Sequence, residues 1–161
     1  MTTTTHYGPG RRARPADPAL LHPGRCVMHG EMAARESFLA GVVSRAAGLL
    51  TWAEVQDYRT SWTSGLPRGP HGGSSATATL VEHEDGTEYD LTPQAVAEAF
   101  KRLARGEGRS VGVLAGRARR LVKAYRRNDN SLLTDEDVQA VAQVATIGEV
   151  VYGRYLEGVS A

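Results

Sequence analysis

One cysteine, Cys26, is the only thiol in the chain. It excludes an internal disulfide and fits a reducing compartment. No apolar run approaches the roughly 20 residues that a membrane-spanning helix needs, so no membrane contact is expected. Residues 1–14 hold no apolar segment of the kind a signal peptide carries, so the expected location is cytoplasmic. The net charge is only +1, which by itself points to no special partner. Complete catalytic signatures are missing as well: there is no P-loop, no dinucleotide-binding fingerprint and no His-Glu-x-x-His. The chain therefore reads as a non-enzymatic protein without a cofactor.

What is present begins with size: 161 residues, 41% of them hydrophobic, fit one domain with a real core. Leu-Thr-x-x-x-Val occurs three times, at Leu50–Val55, Leu91–Val96 and Leu133–Val138. Each copy reads as a helix start. The Thr hydroxyl accepts from an orphan amide of the first turn, and the Leu and Val form a hydrophobic staple. Glu54 and Asp137 stand at the position that completes a capping box. The segments between the copies do not match, so recurrent capping explains them better than a repeat does.

Residues 1–29 read as a flexible Pro/Arg-rich arm, with Arg11, Arg12, Arg14, Pro15, Pro18 and Pro23. The rest, 30–161, reads as a single domain. A first helix is expected over about Glu31–Leu49, where Phe38, Leu39, Val42, Val43, Ala46 and Leu49 recur at helical steps. A short second helix is expected from the Thr51 cap to about Trp62, followed by a Gly-rich loop over 65–75.

Ala76–His83 and Thr87–Leu91 read as a β-hairpin, at about 76–91, with Asp85-Gly86 as a two-residue turn. That register sets Leu80 opposite Leu91 and Glu82 opposite Tyr89. Thr92 then caps a helix with Pro93 in its first position, ended by Gly106 and Gly108. A basic helix is expected over Val111–Arg127 with Ser110 as its cap, broken by Asn128–Asn130. Thr134 caps a final helix to about Tyr155, with Val138, Val141, Ala145, Val151, Tyr152 and Tyr155 on its buried face. The fold class expected is α+β, mostly helical: about five helices with one β-hairpin. A two-stranded hairpin is not stable alone, so it must lie on the helices or gain a strand.

Three motifs suggest chemistry and fall short of it. Gly108-Arg109-Ser110-Val111-Gly112 matches Gly-x-Ser-x-Gly, but helix rather than strand precedes it, and no His follows His83. His22, Cys26 and His29 have the right donor atoms for zinc, with His6, His71 or Glu31 as a fourth ligand. They lack the paired ends of a strong zinc signature, so no metal is expected. His83 opposite Glu88 reads as a solvated charge pair at the hairpin tip.

Charge distribution is more informative than net charge. Residues 101–127 hold ten basic residues and one acid, Glu107, whereas the last 34 residues hold six acids and only Arg154. On the expected helix, Leu114, Ala118, Leu121, Val122 and Tyr125 form the inward stripe. Arg117, Arg119, Arg120, Lys123, Arg126 and Arg127 are the candidate binding residues, on an outward side with no acid of its own. Such a face suits phosphate contacts whose strength comes from counterion release. The competing reading pairs these residues with Asp135–Asp137 or the Glu-rich hairpin. The chain would then be a protein-interaction or self-assembling component, and an acidic protein surface is the alternative partner.

Asp85–Pro93, leading into a helix, and Gly148–Gly153 resemble segments of small uncharacterised proteins encoded by phages of high-GC actinobacteria. The resemblance implies a product made in a bacterial host's cytoplasm, an accessory or host-interaction protein. It assigns no catalytic or binding residue.

Overall fold

The computed structural model describes residues 23–62 and 74–153, with side chains over 30–60 and 75–153. The fold is α+β and mostly helical, in a small single domain. Among the described residues it has four α-helices and a three-stranded antiparallel sheet in the order β1-β2-β3. In chain order these are α1 (Pro23–Ala47), β1 (Ala53–Trp62), β2 (Ser74–Glu82), β3 (Glu88–Leu91), α2 (Pro93–Ala104), α3 (Ala115–Arg127) and α4 (Asp135–Thr146). None of the described helices is long and apolar enough to cross a membrane.

The expected second helix is a strand. Val55 and Tyr58 stand three apart, a helical spacing, yet both occupy positions opposite the inward-facing Leu80 and Ala78 of β2. A bulge between Val55 and Asp57 makes this possible, because the extra residue lets positions of opposite parity share one face. Tyr58 then donates from its hydroxyl to Ser44 Oγ on α1 at 2.7 Å. β1 is also the additional strand that the hairpin needed. Burial along β2 alternates, with Ala76, Ala78 and Leu80 buried between less buried neighbours, so one sheet face rests on the helices.

The hairpin register differs from expectation by two residues. Ala78 stands opposite Leu91, Leu80 opposite Tyr89, and Val81 opposite Glu88. A four-residue turn, His83–Gly86, replaces the two-residue turn, because the Asp85 carboxylate accepts from the Thr87 amide at 2.9 Å. An even shift keeps every side chain on its face. His83 lies in that turn, so it does not face Glu88.

The helices pack against the buried face of the sheet. Phe38, Val42 and Val43 of α1 meet Val96 and Phe100 of α2, Leu121 of α3, and Val138 and Val141 of α4, all buried. Phe100 stacks on Tyr125 with ring centroids 5.0 Å apart, and Phe38 closes the trio at 5.5 Å from Phe100. The Arg35 guanidinium lies 3.8 Å over the Tyr125 ring and donates to the Tyr125 carbonyl.

Boundaries shift where side chains find better partners outside a helix. α1 begins at Pro23, inside the segment read as an arm, and ends at Ala47. Residues 1–22 and most of the Gly-rich loop lie outside the described residues. α2 starts as expected: Thr92 Oγ1 accepts from the Ala95 amide at 3.1 Å. α3 starts at Ala115 rather than Val111. Glu107–Arg109 forms a 3₁₀ turn, Val111 and Val113 drop into the core, and Leu114 takes the cap position, so Ser110 caps nothing there. α4 has the full capping box between Thr134 and Asp137 but stops at Thr146, ahead of Gly148 at φ 95°. The chain then turns back. Buried Gln143 accepts from the amides of Val151 and Tyr152 and donates to the Tyr152 carbonyl, at 2.7–3.1 Å. Val150 donates to the Val111 carbonyl at 2.9 Å. Val150 is therefore buried, Val151 is exposed, and Tyr152 stacks on Trp52 at 5.5 Å. Tyr155 lies outside the described residues.

Candidate nucleic-acid interface

α3 is built from small and aliphatic residues on one side and cations on the other. Leu121 and Ala124 are buried, and its cap, Leu114, offers no side-chain hydrogen bond. Asn128 ends it in the left-handed conformation, at φ 52°.

The six candidate cations divide between two tasks. Arg117 and Arg120 turn toward the first turn of α4, where Asp135, Glu136 and Asp137 stand at the positive end of the helix dipole. Arg120 binds fully buried Asp137 bidentately, Nε to Oδ2 at 2.9 Å and Nη2 to Oδ1 at 2.8 Å. Arg117 reaches Glu136 at 2.9 Å and Asp137 at 3.5 Å. The expectation that no acid neutralises this face is therefore corrected for these two residues. Asp135 is taken by Arg45 of α1, at 2.6 Å.

Arg119, Lys123, Arg126 and Arg127 are exposed, and none has an ion pair among the described residues. Arg119 only folds back on the Ala115 carbonyl, at 3.3 Å. Neither Arg119 nor Arg126 is capped by the acids of α4. Glu107, the lone acid of the basic stretch, is held by Arg105 at 2.7 Å and Arg102 at 3.1 Å. Those two bonds, Arg105's first, hold its carboxyl below the usual carboxylate range. Arg102 also donates to the Gly148 carbonyl at 2.8 Å, which fixes the returning segment beside α2.

These arrangements leave an open groove of about 1310 Å³. One wall is α3, presenting Arg119, Val122, Lys123, Arg126 and Arg127. The other runs from the end of α2 through Gly106, Gly108, Arg109 and Gly112 to Glu149 and Val150. Glu149 is the one carboxylate residue among the lining residues, against six cations. Arg109 and the apolar floor of Leu103, Ala118, Val122 and Val150 were not singled out as binding residues from the sequence. The glycine spacing of 108–112 was their signal, because a Gly-rich turn marks a place where the backbone itself forms a surface.

The other motifs gather no site. Ser110 Oγ donates to the Glu107 carbonyl at 2.7 Å, with no His in reach among the described residues. The zinc set lies outside the described side chains. Among the described residues no three His, Cys, Asp or Glu side chains cluster to hold a metal. No protein-family model, curated protein or solved structure matches the chain.

Proposed function

We propose that this protein is a non-enzymatic binding protein that contacts the phosphate backbone of nucleic acid through the groove face of α3. The observation that carries the reading is the division of labour among the cations. Arg117 and Arg120 satisfy the acids of α4, while Arg119, Lys123, Arg126 and Arg127 stay exposed and form no ion pair among the described residues. Paired arginines hold the frame, and unpaired ones are what a polyanion with condensed counterions needs. Contacts of this kind read charge and shape, so binding is largely independent of sequence. On the resemblance to phage proteins, the site of action is the host cytoplasm.

A second reading has one observation on its side. Among the described residues the outer edge of β1 is unpaired over Ala53–Trp62, which suits strand addition or self-assembly.

Titration of a labelled oligonucleotide by fluorescence anisotropy at several salt concentrations tests the first reading. Replacing Arg119, Lys123 and Arg126 with Gln removes up to three phosphate contacts. The log–log salt slope then becomes shallower by up to roughly 2.7 on duplex or 2.1 on single strand. The melting curve stays in place, because these side chains carry no ion pair among the described residues. Absence of binding at low salt ends this reading. Early melting of the triple variant assigns the three residues to the frame and favours the second one.

A further inference from the structure

We infer that the groove takes a single-stranded nucleic acid in preference to a duplex, an inference that rests on the phosphate-binding reading above. The distinction comes from shape and from what lies between the cations. A duplex is a convex rod with phosphates on its outside. It can rest on the cations of the rim but does not reach a concave floor. An extended strand is narrow, and it separates its chemistry, with phosphates along one edge and unstacked bases along the other.

The groove has the same separation. Arg119, Lys123 and Arg127 follow one edge of α3 at four-residue steps, close to one 5.4 Å helical turn each. That matches successive phosphates of an extended strand. Beside this row the surface changes to aliphatic. Val122 and Val150 line the floor, and Leu114 is 61% exposed at the mouth, although Leu121 and Val113 nearby are fully withdrawn into the core. An apolar floor adds nothing to phosphate binding. It does favour flat base surfaces leaving water. The lining contains no aromatic side chain, so the bases are held by aliphatic and guanidinium surfaces, and discrimination among them is weak.

The test uses the full chain and three probes in anisotropy, compared at each of several salt concentrations from low salt upward. These are a labelled oligo-dT of about 12 nucleotides, a labelled hairpin duplex with the same number of phosphates, and unlabelled poly-glutamate as competitor. The expected result is binding of the strand roughly tenfold tighter than the duplex, with poly-glutamate of equal charge a poor competitor. Leu114→Ser, which places a good capping residue at an exposed position, should weaken the strand about fivefold. It should leave duplex affinity and the salt slope unchanged. Val122→Thr should act in the same direction. Duplex binding as tight as strand binding, or full strand affinity in both variants, overturns the inference and leaves phosphate binding standing. Poly-glutamate displacing the strand at equal charge overturns it too and assigns the groove to an acidic protein surface. Failure of both oligonucleotides to bind at low salt overturns this inference together with the reading beneath it.

Discussion

Arg120 grips both carboxylate oxygens of Asp137 with one edge of its guanidinium, at 2.9 and 2.8 Å, and the same carboxylate accepts from the Thr134 amide at 3.1 Å. One buried acid thus joins α3 to α4 and closes the cap of α4. Burial alone pushes this carboxyl up; the bonds from Arg120 and Thr134 outweigh that and hold it below its ordinary value.

A depressed folded-state pKa adds stability above the unfolded value, about 4, and that stability is lost as pH falls through the folded value. Asp137→Asn should therefore cost about 2 kcal/mol at neutral pH. It should also lose less stability than the parent between pH 7 and pH 3. Urea melts across that range measure both effects, and parallel pH profiles for the two proteins would refute the assignment.

Thr134→Ala should cost about 1 kcal/mol by removing the acceptor for the Asp137 amide, and Thr92→Ala a similar amount at α2. Thr51→Ala should cost far less, because Thr51 precedes a strand and caps no helix. Equal losses at all three positions would contradict the strand.

Gly41 lies in the interior of α1, where alanine ordinarily adds up to about 1 kcal/mol of stability. A Cβ there would meet Asn130 Nδ2 at 2.4 Å, and that amide donates to the Phe38 carbonyl at 3.1 Å. Gly41→Ala should therefore destabilise by about 1–3 kcal/mol. Gly30→Ala, in the same helix with nothing within 4 Å, should be neutral or stabilising. Thermal melts of the two variants moving together would contradict this packing.

Glu82 accepts from two tyrosines, Tyr89 at 3.0 Å and Tyr152. The bond to Glu82 is the main cause that raises Tyr152, and burial followed by the same bond raises Tyr89. Both phenols should ionise later than an ordinary tyrosine in a titration followed by tyrosinate absorbance. In Glu82→Gln that late phase should move toward about pH 10. An unchanged titration in the variant would break the assignment.

The starts of α2 and α4 were legible because a cap is local: Thr92 and Thr134 need partners only three residues away. The same triplet at Leu50-Thr51 misled, because β1 is decided by β2 and by a bulge that gives a strand the three-residue spacing of a helix. The length of α4 was overread because Gln143 captures the backbone of 151–152, a contact that no periodicity encodes. At the candidate site the basic stretch was visible at once. Which arginines are used up was not, because that depends on how α3 crosses the first turn of α4. The groove itself arises from the returning segment, held by Arg102 and Val111, and no run of residues announces it.

Between Arg109 and the returning segment, the far wall of the groove is main chain at Gly108 and Gly112. A Cβ on Gly108 would lie 3.1 Å from the Ala118 side chain and 3.3 Å from the Val113 carbonyl, and Gly112 sits at φ 77°. At these two positions the wall has no side chain through which a ligand preference can be altered. In a saturation library sorted once for expression and once for binding, changes at Gly108 and Gly112 should drop out at the first gate. Changes at Arg119, Lys123 and Arg126 should pass it and drop out at the second. Foldability and recognition are thus inherited through separate residues, and the rim of α3 can diversify without endangering the scaffold that presents it.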